Sequence, residues 1–197
     1  MKSKFAPLLV AGLLACTLPA AQAVTLDSVV ANGNAVSTDF FGPSLVAADI
    51  GFNADTSVTL NLLVDENDWL GRVNFNAVID QYQAGQSLRP LSLTLTGGAT
   101  FVQIGGLETL PGEGPASVAL TNGGQTALIS FGGSAQQVFL GNPFGELLQD
   151  WQISVANLSS GSAYSLTVSA VPEPGAMALV LAGLGFSGLL ARRRLPR

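Results

Sequence analysis

Apolar residues recur at every second position in five stretches of this chain, and that period decides its fold class. Val58, Leu60, Leu62 and Val64 alternate with Thr59 and Asn61, and Val73, Phe75, Ala77 and Ile79 alternate with Asn74, Asn76 and Val78. The same pattern runs through Leu91, Leu93 and Leu95, through Trp151, Ile153 and Val155, and through Tyr164, Leu166 and Val168. Successive side chains of an extended backbone point to opposite faces, so each apolar set lines one face of a sheet. A helix would need apolar residues three and four apart, and no long segment of residues 24–170 supplies them. Asn122-Gly123-Gly124 lies between the apolar stretches 118–120 and 127–131 and predicts a hairpin turn. Residues 105–115 hold four glycines and two prolines and predict a surface loop. Many short strands joined by such turns predict an all-β domain, an antiparallel β-sandwich or jelly roll.

What the chain lacks narrows the chemistry such a domain can carry. It has no histidine; its one cysteine is Cys16; its only lysines are Lys2 and Lys4. Ser-His-Asp and Cys-His catalysis, Schiff bases, P-loops and His/Cys metal sites are therefore excluded from the body of the protein. Between residues 24 and 170, twelve acids face only Arg72 and Arg89, a net charge of −10. That charge repels phosphate backbones and excludes nucleic acid as a partner. Without disulfides the core alone must hold this segment together, and its length suffices for that. No cofactor is implied.

Two kinds of site remain conceivable. Asp65-Glu66-Asn67-Asp68 clusters oxygen donors in a turn, the ligand type calcium takes, with Asp65 and Asp68 the candidate ligands. The turn lacks the regular spacing and glycine of an EF-hand loop, and a solvated acidic turn is the simpler account. Paired carboxylates could also hydrolyse glycosidic bonds, although twelve acids supply pairs by chance. Trp69, Tyr82, Trp151 and Tyr164 could stack on sugars. Trp151 and Tyr164 fall on the alternating core positions, which leaves Trp69 as the better exposed candidate. Thr94-Leu95-Thr96 is too short for an ice-binding array, for which tandem repeats are expected.

Both ends differ from the middle. Lys2 and Lys4 precede an apolar core over residues 5–14, and Ala21 and Ala23 form an Ala-x-Ala site. This order describes a secretory signal peptide over residues 1–23, cut by signal peptidase after Ala23. Leu13-Leu14-Ala15-Cys16 approximates a lipobox, but the bulky Leu14 stands where a smaller residue is usual. At the other end Pro172-Glu173-Pro174 precedes an apolar stretch over residues 175–191, then Arg192, Arg193 and Arg194. Seventeen helical residues span about 25 Å, and arginine stems make up the remainder of the hydrocarbon thickness. Positive charge after this transmembrane helix places the end in the cytoplasm and the β domain outside. Within the helix, residues 183–188 fit G-x-G-x-x-G, but no strand precedes them and no acid follows. Close packing against a membrane partner accounts for these glycines better than dinucleotide binding.

The Pro-Glu-Pro triplet, glycine-rich apolar helix and terminal arginines together resemble the PEP-CTERM sorting domain of Gram-negative bacteria, over about residues 171–197. The resemblance implies recognition by an exosortase, a membrane-embedded cysteine transpeptidase that cuts near the triplet. It also implies a host that makes exopolysaccharide. Pro172 and Pro174 would stop the helix and hold an extended backbone for the protease cleft. The organisation expected is thus a signal peptide (1–23), an acidic extracytoplasmic β domain (24–170) and a sorting signal (171–197). The function expected is an exported, exosortase-processed surface or matrix protein with no enzymatic activity, anchored in the inner membrane as a precursor. A carbohydrate-binding module for the host's exopolysaccharide is the first alternative, and a divergent carboxylate glycosidase the second.

Overall fold

The computed structural model describes residues 24–39, 44–54, 56–65, 71–144 and 148–171. The expected leader with Ala21 and Ala23, the triplet Pro172-Glu173-Pro174, the apolar stretch 175–191 and Arg192, Arg193 and Arg194 lie outside these residues. So do Glu66, Asn67, Asp68 and Trp69. No helix among the described residues is long and apolar enough to cross a membrane.

The described chain is all-β. In order it forms β1 (Val24–Val30), β2 (Ala35–Asp39), β3 (Leu45–Phe52), β4 (Ser57–Val64), β5 (Arg72–Gln81), β6 (Leu91–Leu95), β7 (Thr100–Gln103), β8 (Leu107–Thr109), β9 (Ala116–Thr121), β10 (Thr126–Phe131), β11 (Gln137–Leu140), β12 (Trp151–Ser154) and β13 (Ala163–Ala170). One sheet runs β1-β4-β13-β6-β10-β9; the other runs β2-β3-β5-β11-β8, with β12 bridging β5 and β7. All five alternating stretches became strands, and their apolar sets face inward. Val58, Leu60, Leu62, Leu93, Leu166 and Val168 of the first sheet join Val46, Ile50, Val73, Phe75, Ile79, Val138 and Ile153 of the second in one buried cluster. Trp151 and Tyr164 belong to that core, as their alternating positions require. Asn122–Gly124 closes the β9–β10 hairpin as a 3₁₀ turn, with Gly123 at φ 64°.

Two expectations need correction. The sandwich is not wholly antiparallel, because β3 and β5 pair in parallel, Ala47 opposite Asn76 and Asp49 opposite Val78. A parallel pair needs a long crossover, and here β4, in the opposite sheet, supplies it. Alternation reads the same for either strand direction. Residues 105–115 are also not simply loop, since they contain β8, which pairs with β11. Their glycines permit close packing. A Cβ on Gly105 would lie 1.9 Å from the carbonyl oxygen of Gln149, and one on Gly106 would lie 2.6 Å from that of Gly141. The Gly106 carbonyl accepts the Gly141 N–H and the Trp151 indole N–H, both at 2.8 Å.

The outer face of the first sheet carries a pattern no linear repeat announces. Thr59, Thr167, Thr94, Thr126 and Thr121 stand opposite one another across five neighbouring strands. Such cross-strand pairs reinforce a sheet, and their hydroxyls are bonded locally, Thr59 to Thr167 at 2.9 Å and Thr126 to the Asn122 amide at 3.3 Å.

Candidate functional site

The outer face of the second sheet is differently built. Ser37, Asp49, Val78, Phe139 and Glu108 form one row across β2, β3, β5, β11 and β8. Asp39, Ala47 and Asn76 form the next. Small residues at Ser37 and Ala47 leave the surface low, and the segment after β11 rises beside it. A hollow of about 320 Å³ is lined by Asp39, Ala47, Asp49 and Asn76 among others. A second, of about 260 Å³, is lined by Glu108, Phe139, Phe144 and Leu148 among others. Asn142 and Pro143 line both, so the two hollows adjoin at these residues as the two halves of a groove, Phe144 in one half and Asp49 in the other. Phe144 stands at its rim, 65 % exposed, edge-on to Phe139 with ring centroids 5.2 Å apart.

Part-buried polar contacts hold the rim. Asp150 Oδ1 accepts the Asn76 side-chain amide at 3.2 Å and the Asn142 backbone N–H at 3.0 Å. Gly141 turns the chain at φ 71°, where a Cβ would approach both Asn76 Cβ and the Phe75 carbonyl oxygen to 2.9 Å. Gly141→Ala combines a disfavoured φ with that clash and is expected to cost about 2 kcal/mol or more. Urea denaturation with an unchanged m-value checks it.

Further along the same face, Asp80 lies diagonal to Asp49 and accepts a hydrogen bond from the Gln137 side-chain amide. Partial burial pushes its carboxyl above the usual 3.8; the Gln137 bond opposes the shift and Asp49 adds to it. Native protein therefore holds this proton more tightly than unfolded protein. The charged form costs stability that returns as pH falls through the native pKa towards 3.8. Asp80→Asn is expected to raise Tm at pH 7, with the gain shrinking in acid, as melts across pH 3–7 would show. Tyr82 is 53 % exposed and its ring covers Gly51, where a Cβ would fall 2.1 Å from Cε2. Its hydroxyl is shifted upward, by partial burial first and then by Asp49 and Asp80.

The expected site residues fare unevenly. Asp65 follows the end of β4, while Asp68 and Trp69 lie outside the described residues. No three metal-ligating side chains cluster among the described residues. Trp151 and Tyr164 are core and Tyr82 is a surface cover, so none of these three lines the groove. Phe139, Phe144, Asn76 and Asn142 escaped attention. The one linear signal was an aromatic in a turn, Gly141-Asn142-Pro143-Phe144.

The described fold ends with β13 at Ala170, and there the comparison with known families begins. Residues 170–194 match the PEP-CTERM protein-sorting motif. A PEP-CTERM motif implies export, a membrane-anchored precursor and an exosortase as processing partner. Searches of curated proteins and of solved structures found no match to the chain. The PEP-CTERM match thus speaks to sorting and not to the β domain.

Proposed function

We propose that the protein is an exosortase-processed component of the cell surface or extracellular matrix, with a non-catalytic β domain. Residues 1–23 direct export, residues 24–170 are the delivered domain, and residues 171–197 anchor the precursor until it is cut near Pro172-Glu173-Pro174. The observation that carries this reading is the sorting-motif match at residues 170–194, which begins at the final residue of β13. Arg192, Arg193 and Arg194 keep the tail's end cytoplasmic. The domain's charge of −10 favours solubility after release.

Fractionation of a host lacking its exosortase tests it. Full-length protein accumulating in the inner membrane is the expected result, and normal external levels of tail-less protein would overturn it. Intact mass should place the mature N-terminus at Val24, whereas a lipidated Cys16 would make the chain a lipoprotein.

The groove favours a second reading, a carbohydrate-binding module. A carboxylate glycosidase has less support. Asp80, whose carboxyl pKa is raised by partial burial, is not among the described lining residues of the groove and is tied to Gln137. Release of reducing ends from a polysaccharide would establish the enzyme.

A further inference from the structure

Phe144 is 65 % exposed at the rim of a concave surface and packs edge-on against Phe139. Leaving apolar surface in water forgoes about 25 cal/mol per Å², and an aromatic rim beside convergent polar groups is the usual make-up of a binding site. The polar groups here are carboxylates and amides, Asp49 and Asn76 on one side, Glu108 on the other, and Asn142 between them. A pyranose ring matches this mixture. One face of its C–H groups is apolar and stacks on an aromatic ring, while its hydroxyls donate to carboxylates and exchange hydrogen bonds with amides. We propose that this groove binds a neutral glycan, with one sugar ring stacked on Phe144 and neighbouring hydroxyls bonded to Asp49, Glu108 and Asn142. The proposal rests on the carbohydrate-binding reading above and gives it a site.

Neutrality follows from charge. Asp39, Asp49 and Glu108 line the groove with no lysine or arginine among the described lining residues. The one arginine of β5, Arg72, lies four residues from Asn76 and donates to Gln152 at 3.1 Å. Uronates and sulfated sugars would meet like charge. A peptide is served less well, because the groove lies on the face of the sheet, whereas strand addition runs along an edge such as β2 or β8. The site also stands ready-formed: Asp150 ties Asn76 to the Asn142 backbone, which reduces the ordering cost of binding.

Affinity gel electrophoresis of the full-length protein, kept in a non-glycosidic detergent, tests the assignment. Gels would contain β-glucan, galactomannan or xylan as neutral probes, alginate as an acidic probe, and poly-lysine as a basic peptide probe. At least one neutral polymer should retard the protein, and Phe144→Ala and Asp49→Asn should each weaken that binding about tenfold or more. Phe144 is exposed, so its removal leaves the core intact, and Leu128→Ala on the opposite sheet should change nothing. Retardation that both groove variants leave unaltered overturns the site while the carbohydrate reading stands. Absence of retardation by every neutral polymer overturns both. Binding to alginate alone, or to poly-lysine alone, overturns the neutral-glycan assignment. The sorting reading is decided separately, by fractionation.

Discussion

Replacing Pro172-Glu173-Pro174 by three alanines is expected to convert an exported protein into an inner-membrane protein. The sorting motif spans residues 170–194, and the triplet is its most distinctive element in this chain. Proline disfavours helix whereas alanine is the best helix former, so the substitution reverses the local backbone preference at the triplet. Glu173 supplies the one acid between residues 151 and 197. On the proposed sorting reading, the exosortase is then expected to leave the chain uncut, with the precursor retained through the apolar stretch 175–191. A tag placed after Val24 should then fractionate almost wholly with inner membrane at full-length mass. Asp27→Asn, an exposed change on β1 far from the tail in sequence, should leave export untouched. Tail-less triple-alanine protein outside the cell at normal levels would reduce the tail to an ordinary anchor cut by incidental proteolysis.

Trp151→Ala is expected to be the most destabilising single substitution proposed for the β domain. The side chain is fully buried, packs edge-on against Phe101 at 5.7 Å and donates its indole N–H to the Gly106 carbonyl at 2.8 Å. Truncating a buried tryptophan costs about 3–5 kcal/mol, a large part of a typical 5–15 kcal/mol margin. At about 2–4 °C per kcal/mol, Tm should fall by roughly 6–20 °C. Trp151→Phe should cost much less. It keeps a ring against Phe101 and leaves the Gly106 carbonyl its other donor, the Gly141 N–H. A Trp151→Ala variant melting within 2 °C of the parent, an interval at the small end of about 2–4 °C per kcal/mol, would show that this contact does not support the sandwich.

The same tryptophan explains why the site was harder to read than the core. Trp151 sits on a period-two position, and burial follows from the period alone. Phe144 lies in an irregular segment where no period applies. Its importance comes from Asn142 and Pro143 turning beside Asn76 and Asp49, residues more than sixty positions earlier. Asp150 likewise looked like one more solubilising acid. Only its contacts with Asn76 and the Asn142 backbone reveal a brace.

Local chemistry was enough for much of this protein. Alternation placed five strands and their buried faces, Asn122-Gly123-Gly124 placed a hairpin, the absence of histidine excluded whole classes of catalysis, and the order of residues 171–197 marked a sorting signal. Each is a property of neighbouring residues, carried by backbone geometry or by side-chain type. Strand partners are not such a property. Alternation says which way a side chain points but is silent on direction and register. The parallel β3–β5 pair, the threonine ladder and the groove therefore had to await the packed sheets. β4 had to cross the sandwich before Asp49 could stand beside Val78, and β11 had to pair with β5 and β8 before Phe139 could meet Glu108. Those long-range pairings, set by closure of one shared core, assembled a groove from five strands and a turn.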